Sequence, residues 1–287
     1  MMVFLNGRFV PEEKAVVSVF DRGFLYGDGL FETLRVYGSR PFRWEEHLAR
    51  LRQGAAFLGI RLSISGSRLK AGAGRLIGKN QLSEGLLRIS ISRGVGSRGY
   101  SPAGAKRPMV VMTTHALGEA DPGKLAQWRL AVSSLRVPTG DALATFKTCN
   151  KLANVLARAE AEAGGADEAL LLNTDGDVAE AASSNLFWIE GGSVCTPPIA
   201  AGILPGITRG LILELCRSLK LKWQEKNISP QKLARADGVF LTMSSLGIVE
   251  VKAIGKRRVS VSPVVKTLFA AYQLAVSRQR EGRRARR

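Results

Sequence analysis

Thr145-Phe146-Lys147-Thr148-Cys149-Asn150-Lys151-Leu152-Ala153-Asn154-Val155-Leu156 is the stretch whose reading decides the fold. The Ala/Leu/Thr run from Leu143 to Phe146 reads as a short strand. Apolar residues at Leu152, Val155, Leu156 and Ala159 recur at helical spacing and predict a helix after it. Lys147 then stands at a strand-to-helix junction, where a fixed backbone can aim its amine into a pocket. A desolvated lysine has a lowered pKa and becomes a nucleophile or a Schiff-base former. A lysine in such a place can equally be a solvated cation at the start of a helix, since lysines are mostly exposed. Lys151 is read in that second way.

The residues downstream bear on the choice. Glu168 to Asn173 reads as a strand, and Thr174-Asp175-Gly176-Asp177 as a turn whose Asp-Gly supplies positive φ. In the next run, Val178 to Ile189, Glu180 stands alone among small and apolar residues. A buried carboxylate needs a cationic partner, although a glutamate here could also cap a helix or sit at an edge. Then Gly202-Ile203-Leu204-Pro205-Gly206-Ile207-Thr208-Arg209-Gly210 opens a helix marked by Ile207, Leu211, Leu215 and Leu219. A helix start presents unpaired backbone N–H groups and a positive dipole end, an anion site of a common kind.

Together these pieces resemble the fold-type IV pyridoxal-phosphate enzymes, the class IV aminotransferase family. The matching pattern is Lys147-x-x-Asn150, Asp167-Glu168-Ala169-Leu170, Gly176-x-Val178-x-Glu180 with Ser184-Asn185-Leu186-Phe187, and Thr196-Pro197 followed by Gly202 to Arg209. The resemblance implies an α+β chain with a small N-terminal α/β domain and a larger C-terminal pseudo-barrel domain. It implies that Lys147 forms a Schiff base with the aldehyde of pyridoxal 5'-phosphate and that Glu180 pairs with the protonated pyridine nitrogen, keeping the ring an electron sink. Ile207 and Thr208, with Leu204 beside them, would bind the cofactor, its phosphate at the helix N-terminus.

The chain of 287 residues is long enough for two domains, and 45% hydrophobic residues with no apolar run of 18 point to a globular protein. No basic segment followed by an apolar stretch opens it, and its three cysteines (Cys149, Cys195, Cys216) form no metal or disulfide pattern with His47 or His115. A reducing, cytoplasmic location is expected, with no membrane partner and no metal. The net charge of +18 is concentrated in part in Arg278 to Arg287, which has no apolar period and reads as a disordered basic tail. The remaining charge is not interleaved with aromatics, which argues against a nucleic-acid function; a positive field suits anionic substrates and cofactor.

Taken in order, Val3-Phe4-Leu5, Asn6-Gly7 and Arg8-Phe9-Val10 predict a hairpin. Asp21-Arg22-Gly23 through Gly27-Asp28-Gly29-Leu30-Phe31-Glu32-Thr33-Leu34-Arg35 gives tight turns and then a strand, Phe31 to Tyr37. This is a second match to the family, which places Phe31 and Thr33 facing the pocket. Trp44 to Leu58 predicts an amphipathic helix. On it Arg50 reads as a solvated charge, but the family match makes it a bidentate clamp on the cofactor phosphate; His47 reads as structural. Ser92 to Pro102 is a glycine- and arginine-rich loop, either a plain surface loop or a substrate loop with Arg98 and Tyr100 aimed at a carboxylate. Leu117 to Gly123 is the best linker, giving domains 1–118 and 119–277 with a tail 278–287. Thr242-Met243-Ser244-Ser245 resembles the family's second phosphate-binding segment, with Ser244 or Ser245 as donors. The family also implies a homodimer.

The reaction is not fixed by this machinery. Branched-chain aminotransferases, D-amino-acid aminotransferases and 4-amino-4-deoxychorismate lyases compete. Arg93 to Ser101 is similar to the lyase loop, Tyr100 stands where D-amino-acid enzymes usually carry histidine, and Thr33 offers the hydroxyl that lyases carry for proton transfer. The expectation is a lyase releasing pyruvate and 4-aminobenzoate, with an aminotransferase using 2-oxoglutarate as the alternative and a small amine or carboxylate as substrate in either case.

Overall fold

Asn6 and Gly7 both take positive φ, 50° and 91°, which is the turn whose twist matches antiparallel strands. They fold β1 (Met2–Leu5) onto β2 (Arg8–Pro11). A single-turn helix, α1 (Arg22–Tyr26), follows, its N-cap Asp21 accepting from the Gly23 N–H. Then come β3 (Gly29–Tyr37), β4 (Arg40–Pro41), α2 (Trp44–Phe57), α3 (Gly66–Lys79), β5 (Gly85–Ser92) and β6 (Met109–Ala116). The strands form one antiparallel sheet in the order β2-β1-β6-β5-β3-β4. Its period of two sets the core. Leu30, Leu34 and Val36 of β3 and Leu87, Ile89 and Ile91 of β5 are buried with Leu48, Leu51, Leu69 and Leu76 of the two helices. Each such side chain contributes about 1.5–3 kcal/mol by leaving water.

This computed structural model describes residues 1–62, 64–117 and 124–281. The chain divides into two compact units, and the first holds Met1–Ala120, Phe146–Asn150 and the chain from Arg278. The expected boundary at 118/119 falls in 118–123, outside the described residues. The Lys147 segment, expected in the second domain, instead belongs to the first unit. The reason is backbone pairing: the Phe31 N–H donates to the Lys147 carbonyl and the Cys149 N–H to the Gly29 carbonyl, each at 2.9 Å. Nor is Leu143–Phe146 a strand. Ala142–Thr145 is a 3-10 turn, closed by the Leu143 N–H on the Asp141 side chain at 2.8 Å and by the Thr145 hydroxyl on the Ala142 carbonyl at 2.6 Å. These short polar side chains offer the backbone a local alternative to a ladder.

The second unit covers Asp121–Thr145 and Lys151–Ser277. It contains β7 (Ala126–Val137), α4 (Leu152–Ala163), β8 (Glu168–Asn173), β9 (Val178–Ala181), β10 (Asn185–Glu190), β11 (Ser193–Thr196), α5 (Ile207–Ser218), β12 (Trp223–Glu225), α6 (Pro230–Leu233), β13 (Gly238–Met243), β14 (Gly247–Ile254), β15 (Arg257–Arg258) and α7 (Pro263–Glu281). Nine strands make a mixed sheet, β12-β11-β10-β13-β14-β7-β8-β9 with β15 beside β14. The sheet curls as a half-barrel: β9 turns back towards β10, with the Ala181 N–H on the Ser184 carbonyl at 2.8 Å. Continuous burial along β8, β10 and β13 shows both faces of these strands covered.

The helix expected after Lys147 is present as α4, and the expected tail departs from its reading. The apolar stripe of α4 faces outward: Leu152 is 71% exposed and Val155 61%, while Ala157 and Ala161 are the buried side. The basic tail does not begin as disorder at Arg278. The helix α7 continues to Glu281, and its last turn is tied down by Gln279 on the Pro41 carbonyl at 3.2 Å and Arg280 on Glu84 at 2.9 Å. Residues 282–287 lie outside the described residues. Among the described residues no helix is long and apolar enough to cross a membrane.

Candidate active site

In the first unit the residues gather on the open face of the β3–β5 pair. Phe31 and Thr33 share that face because they are two apart on a strand. Opposite them in register stand Ser90 and Arg88. The Lys147 ammonium lies 4.7 Å from the centre of the Phe31 ring, and the Arg88 guanidinium 3.8 Å from it. The main chain of Lys147 is pinned by β3, and Leu30 bridges Thr148, so its amine projects from a fixed base. Burial pushes the Arg88 pKa down, although a guanidinium stays charged at any working pH. Lys147 thus lies against Phe31, Thr33 follows two residues on along the same strand face, and Arg88, to which the sequence reading gave no role, lies against the same ring. A signal was there: Arg88 and Ser90 alternate with Leu87, Ile89 and Ile91, the mark of a strand with one polar face.

On the other face of β3, Glu32 is 1% exposed. It accepts two hydrogen bonds from Arg50, Nε to Oε1 and Nη2 to Oε2, both at 2.7 Å, and lies 2.7 Å from Nδ1 of His47. Burial alone would raise the Glu32 carboxyl, but the Arg50 and His47 hydrogen bonds outweigh it and hold the pKa at about 2. Burial pushes His47 down. Arg50 therefore presents a planar fork with one edge already oriented by Glu32.

Arg98 and Tyr100 are exposed. Their loop is nevertheless held from below. Buried Arg22 donates to the carbonyls of Gly99 at 2.8 Å and Tyr100 at 2.9 Å. It also shares Oδ2 of Asp28 with Arg93, at 2.9 and 2.7 Å. Burial would raise the Asp28 carboxyl, but its bonds to Arg93 and Arg22 outweigh that and lower it. The Tyr100 ring packs edge-on against Tyr26 at 5.6 Å.

In the second unit Glu180 on β9 is placed by two neighbours. Its Oε2 accepts from Asn185 Nδ2 at 3.0 Å and from the Leu204 N–H at 3.1 Å, while the same Asn185 amide donates to the Leu204 carbonyl at 2.8 Å. Asn185 thus ties the strand carrying Glu180 to the turn leading into α5. That turn must be glycine at 206: a Cβ there would lie 1.9 Å from Asn185 Oδ1. Gly206 is also the N-cap of α5 and offers no side chain to the first turn, in which Ile207 and Thr208 sit. Ser244 and Ser245 form the half-buried turn between β13 and β14. The sequence reading gave no role to Thr242, whose buried hydroxyl has no hydrogen-bond partner and which stands directly opposite Asn185.

The chain is similar along most of its length to known proteins. The chain is 33% identical to aminodeoxychorismate lyase of Bacillus subtilis, covering 86% of this chain and 85% of the relative. It is 31% identical to D-alanine aminotransferase of Bacillus licheniformis, over 96% and 97%. The solved structure of the branched-chain amino acid aminotransferase of Escherichia coli superposes with a TM-score of 0.89 at 30% identity, over 94% and 93% of the two chains. Residues 29–254, the span from β3 through β14, match the family described as amino-transferase class IV. With more than three quarters of its length inside that match, this chain is an enzyme of the class IV aminotransferase family.

Proposed function

We propose that the protein uses pyridoxal 5'-phosphate and releases pyruvate from 4-amino-4-deoxychorismate to give 4-aminobenzoate. The donor set suits the cofactor. Lys147 supplies an amine for its aldehyde, and Glu180, oriented by Asn185 and the Leu204 N–H, supplies a carboxylate for its ring nitrogen. The first turn of α5 at Ile207 and Thr208, the Ser244–Ser245 turn and the Arg50 fork supply donors for a phosphate. The orphaned Thr242 hydroxyl fits a site completed by a group the chain does not itself contain. Bound there, the cofactor withdraws electrons from the substrate carbon that loses a proton.

The chain's own residues then do the rest. With the substrate amine held there, the Lys147 amine would remove the proton from C4 of the substrate. The bond from C3 to the enolpyruvyl oxygen breaks with its electron pair, the released group gains a proton to become pyruvate, and the ring becomes aromatic. Thr33 is the observation that carries this reading. Its hydroxyl is half-buried on the face it shares with Phe31, whose ring lies under the Lys147 ammonium, and Arg88 stands directly opposite. On this reading Thr33 carries a proton and Arg88 meets a substrate carboxylate. Arg98 and Tyr100 serve a carboxylate from their loop. Homodimer formation is supported by exposed apolar side chains in both units, Val16, Val19, Phe20 and Phe24 in one and Leu152 and Val155 in the other.

A second reading, transamination with 2-oxoglutarate, is favoured by the D-alanine and branched-chain aminotransferases among its relatives. One assay separates the two. Aminodeoxychorismate is offered alone, and D-alanine or a branched-chain amino acid is offered with 2-oxoglutarate. The lyase reading expects 4-aminobenzoate and pyruvate from the first; turnover only in the second refutes it. The cofactor is tested on its own: the purified protein should be yellow, and Lys147→Ala should lose the borohydride-reducible adduct.

A further inference from the structure

Several cations of the first unit are paired with carboxylates. Arg22 and Arg93 share Asp28, Arg35 meets Glu84, Arg43 meets Glu46, Arg50 meets Glu32 and Lys70 meets Glu45. Five other cations share one place without a carboxylate among them. Arg61, Arg68, Arg75, Lys106 and Arg107 line a single open cleft of about 660 Å³, and among the described residues no acidic side chain lines it with them. All five are exposed, and among the described residues none has a carboxylate partner.

The placement follows from the fold. Arg68 and Arg75 are seven residues apart on α3, so they project from the same side, flanking the buried Leu69, Ala73 and Leu76. Arg61 comes from the segment after α2, and Lys106 and Arg107 from the segment before β6. Three separate stretches of chain therefore bring like charges together. Clustered like charges repel and lower stability unless an anion is held among them. The chain has 24 acidic residues, and none of the described ones is placed here.

We propose that this cleft binds a compact oligophosphate, free or carried on a nucleotide. Four of the five cations are guanidinium groups, whose planar fork matches phosphate oxygens two at a time. The volume lies within the roughly 300–1,000 Å³ common for small-molecule sites. Apolar surface from Leu62, Ile64 and Pro108 lies beside the charges, room for the flat body of a nucleotide. Among the described residues the only aromatic one lining it, Phe4, is 3% exposed, so the cleft offers no stacking platform of the kind single-stranded nucleic acid uses.

The test is calorimetric titration of the full-length, pyridoxal-phosphate-saturated protein with inorganic tripolyphosphate and, separately, with ATP, at two salt concentrations. Binding that weakens with salt is expected. Each guanidinium lost removes charged hydrogen bonds to the phosphate, so Arg68→Gln with Arg75→Gln should weaken binding at least about tenfold. Lys106→Gln with Arg107→Gln should do the same. Arg257→Gln with Arg258→Gln removes equal charge from exposed β15 in the other unit and should leave affinity within about twofold. Tighter binding of ATP than of tripolyphosphate assigns a nucleotide, and equal binding assigns the free chain. The proposal is overturned if neither ligand binds, if the β15 pair weakens binding as much as the cleft pairs, or if a DNA duplex or an acidic peptide binds the cleft more tightly than both.

Discussion

Replacing Glu32 with glutamine keeps the shape of the side chain and removes the charge on which Arg50 and His47 converge. The structure sets the magnitude. The carboxyl is 1% exposed and its pKa falls from an ordinary 4.5 to about 2. At about 1.36 kcal/mol per pH unit that fall corresponds to about 3 kcal/mol. Removing one member of a buried ion pair costs a similar amount, about 3–5 kcal/mol, because the other charge is left uncompensated. The sign with pH follows from a depressed pKa. The Glu32 contribution is complete above pH 4.5 and is lost as pH falls towards 2. Depressed His47 acts in the same direction from higher pH: its contribution is present above 6.5 and declines below it. Urea unfolding of the cofactor-free protein should therefore show Glu32→Gln less stable than wild type by about 3 kcal/mol at pH 7, with a gap that narrows at about pH 3. A loss below about 1 kcal/mol at pH 7, or a gap independent of pH, would refute the reasoning.

Asp28→Asn removes the shared acceptor of Arg22 and Arg93, so the loop carrying Arg98 and Tyr100 should be cut faster by protease between residues 95 and 105, with KM rising several-fold and kcat little changed. Gly206→Ala places a methyl group on Asn185 and should release Glu180 from its setting; cofactor affinity, followed by absorbance during titration, is expected to fall at least about tenfold. Leu152→Asp with Val155→Asp puts charge on the exposed stripe of α4, and sedimentation velocity should show a dimer converted to monomer.

Several of these elements could be read before the structure was seen. The Asn6-Gly7 hairpin and the helix carrying Arg50 were legible because turn chemistry and apolar period are local properties. The gathering of Phe31, Thr33 and Lys147 came from motif resemblance, since residues 31 and 147 share no local pattern. Period shows that a helix has an apolar side but not what that side meets: the stripe that predicts α4 is exposed. Leu143–Phe146 failed for a different reason: Asp141 and Thr145 satisfy the local backbone and close a turn where apolar composition alone suggested a strand. Glu32 was passed over because nothing in its sequence neighbourhood announces that a helix residue 18 positions on will meet it.

The stitching of Phe146–Asn150 to β3 has a consequence for biosynthesis. A ribosome has made 120 residues when the first long stretch of the first unit is complete, yet that unit still lacks Lys147 and the backbone partners of Gly29 and Phe31. It must wait for Asn150 to emerge, and for Gln279 and Arg280 before its last hydrogen bonds close. Folding of this enzyme from the N-terminus outward is thus interrupted by its own chain path, and a nascent chain stalled before residue 146 would expose a bare strand edge to chaperones.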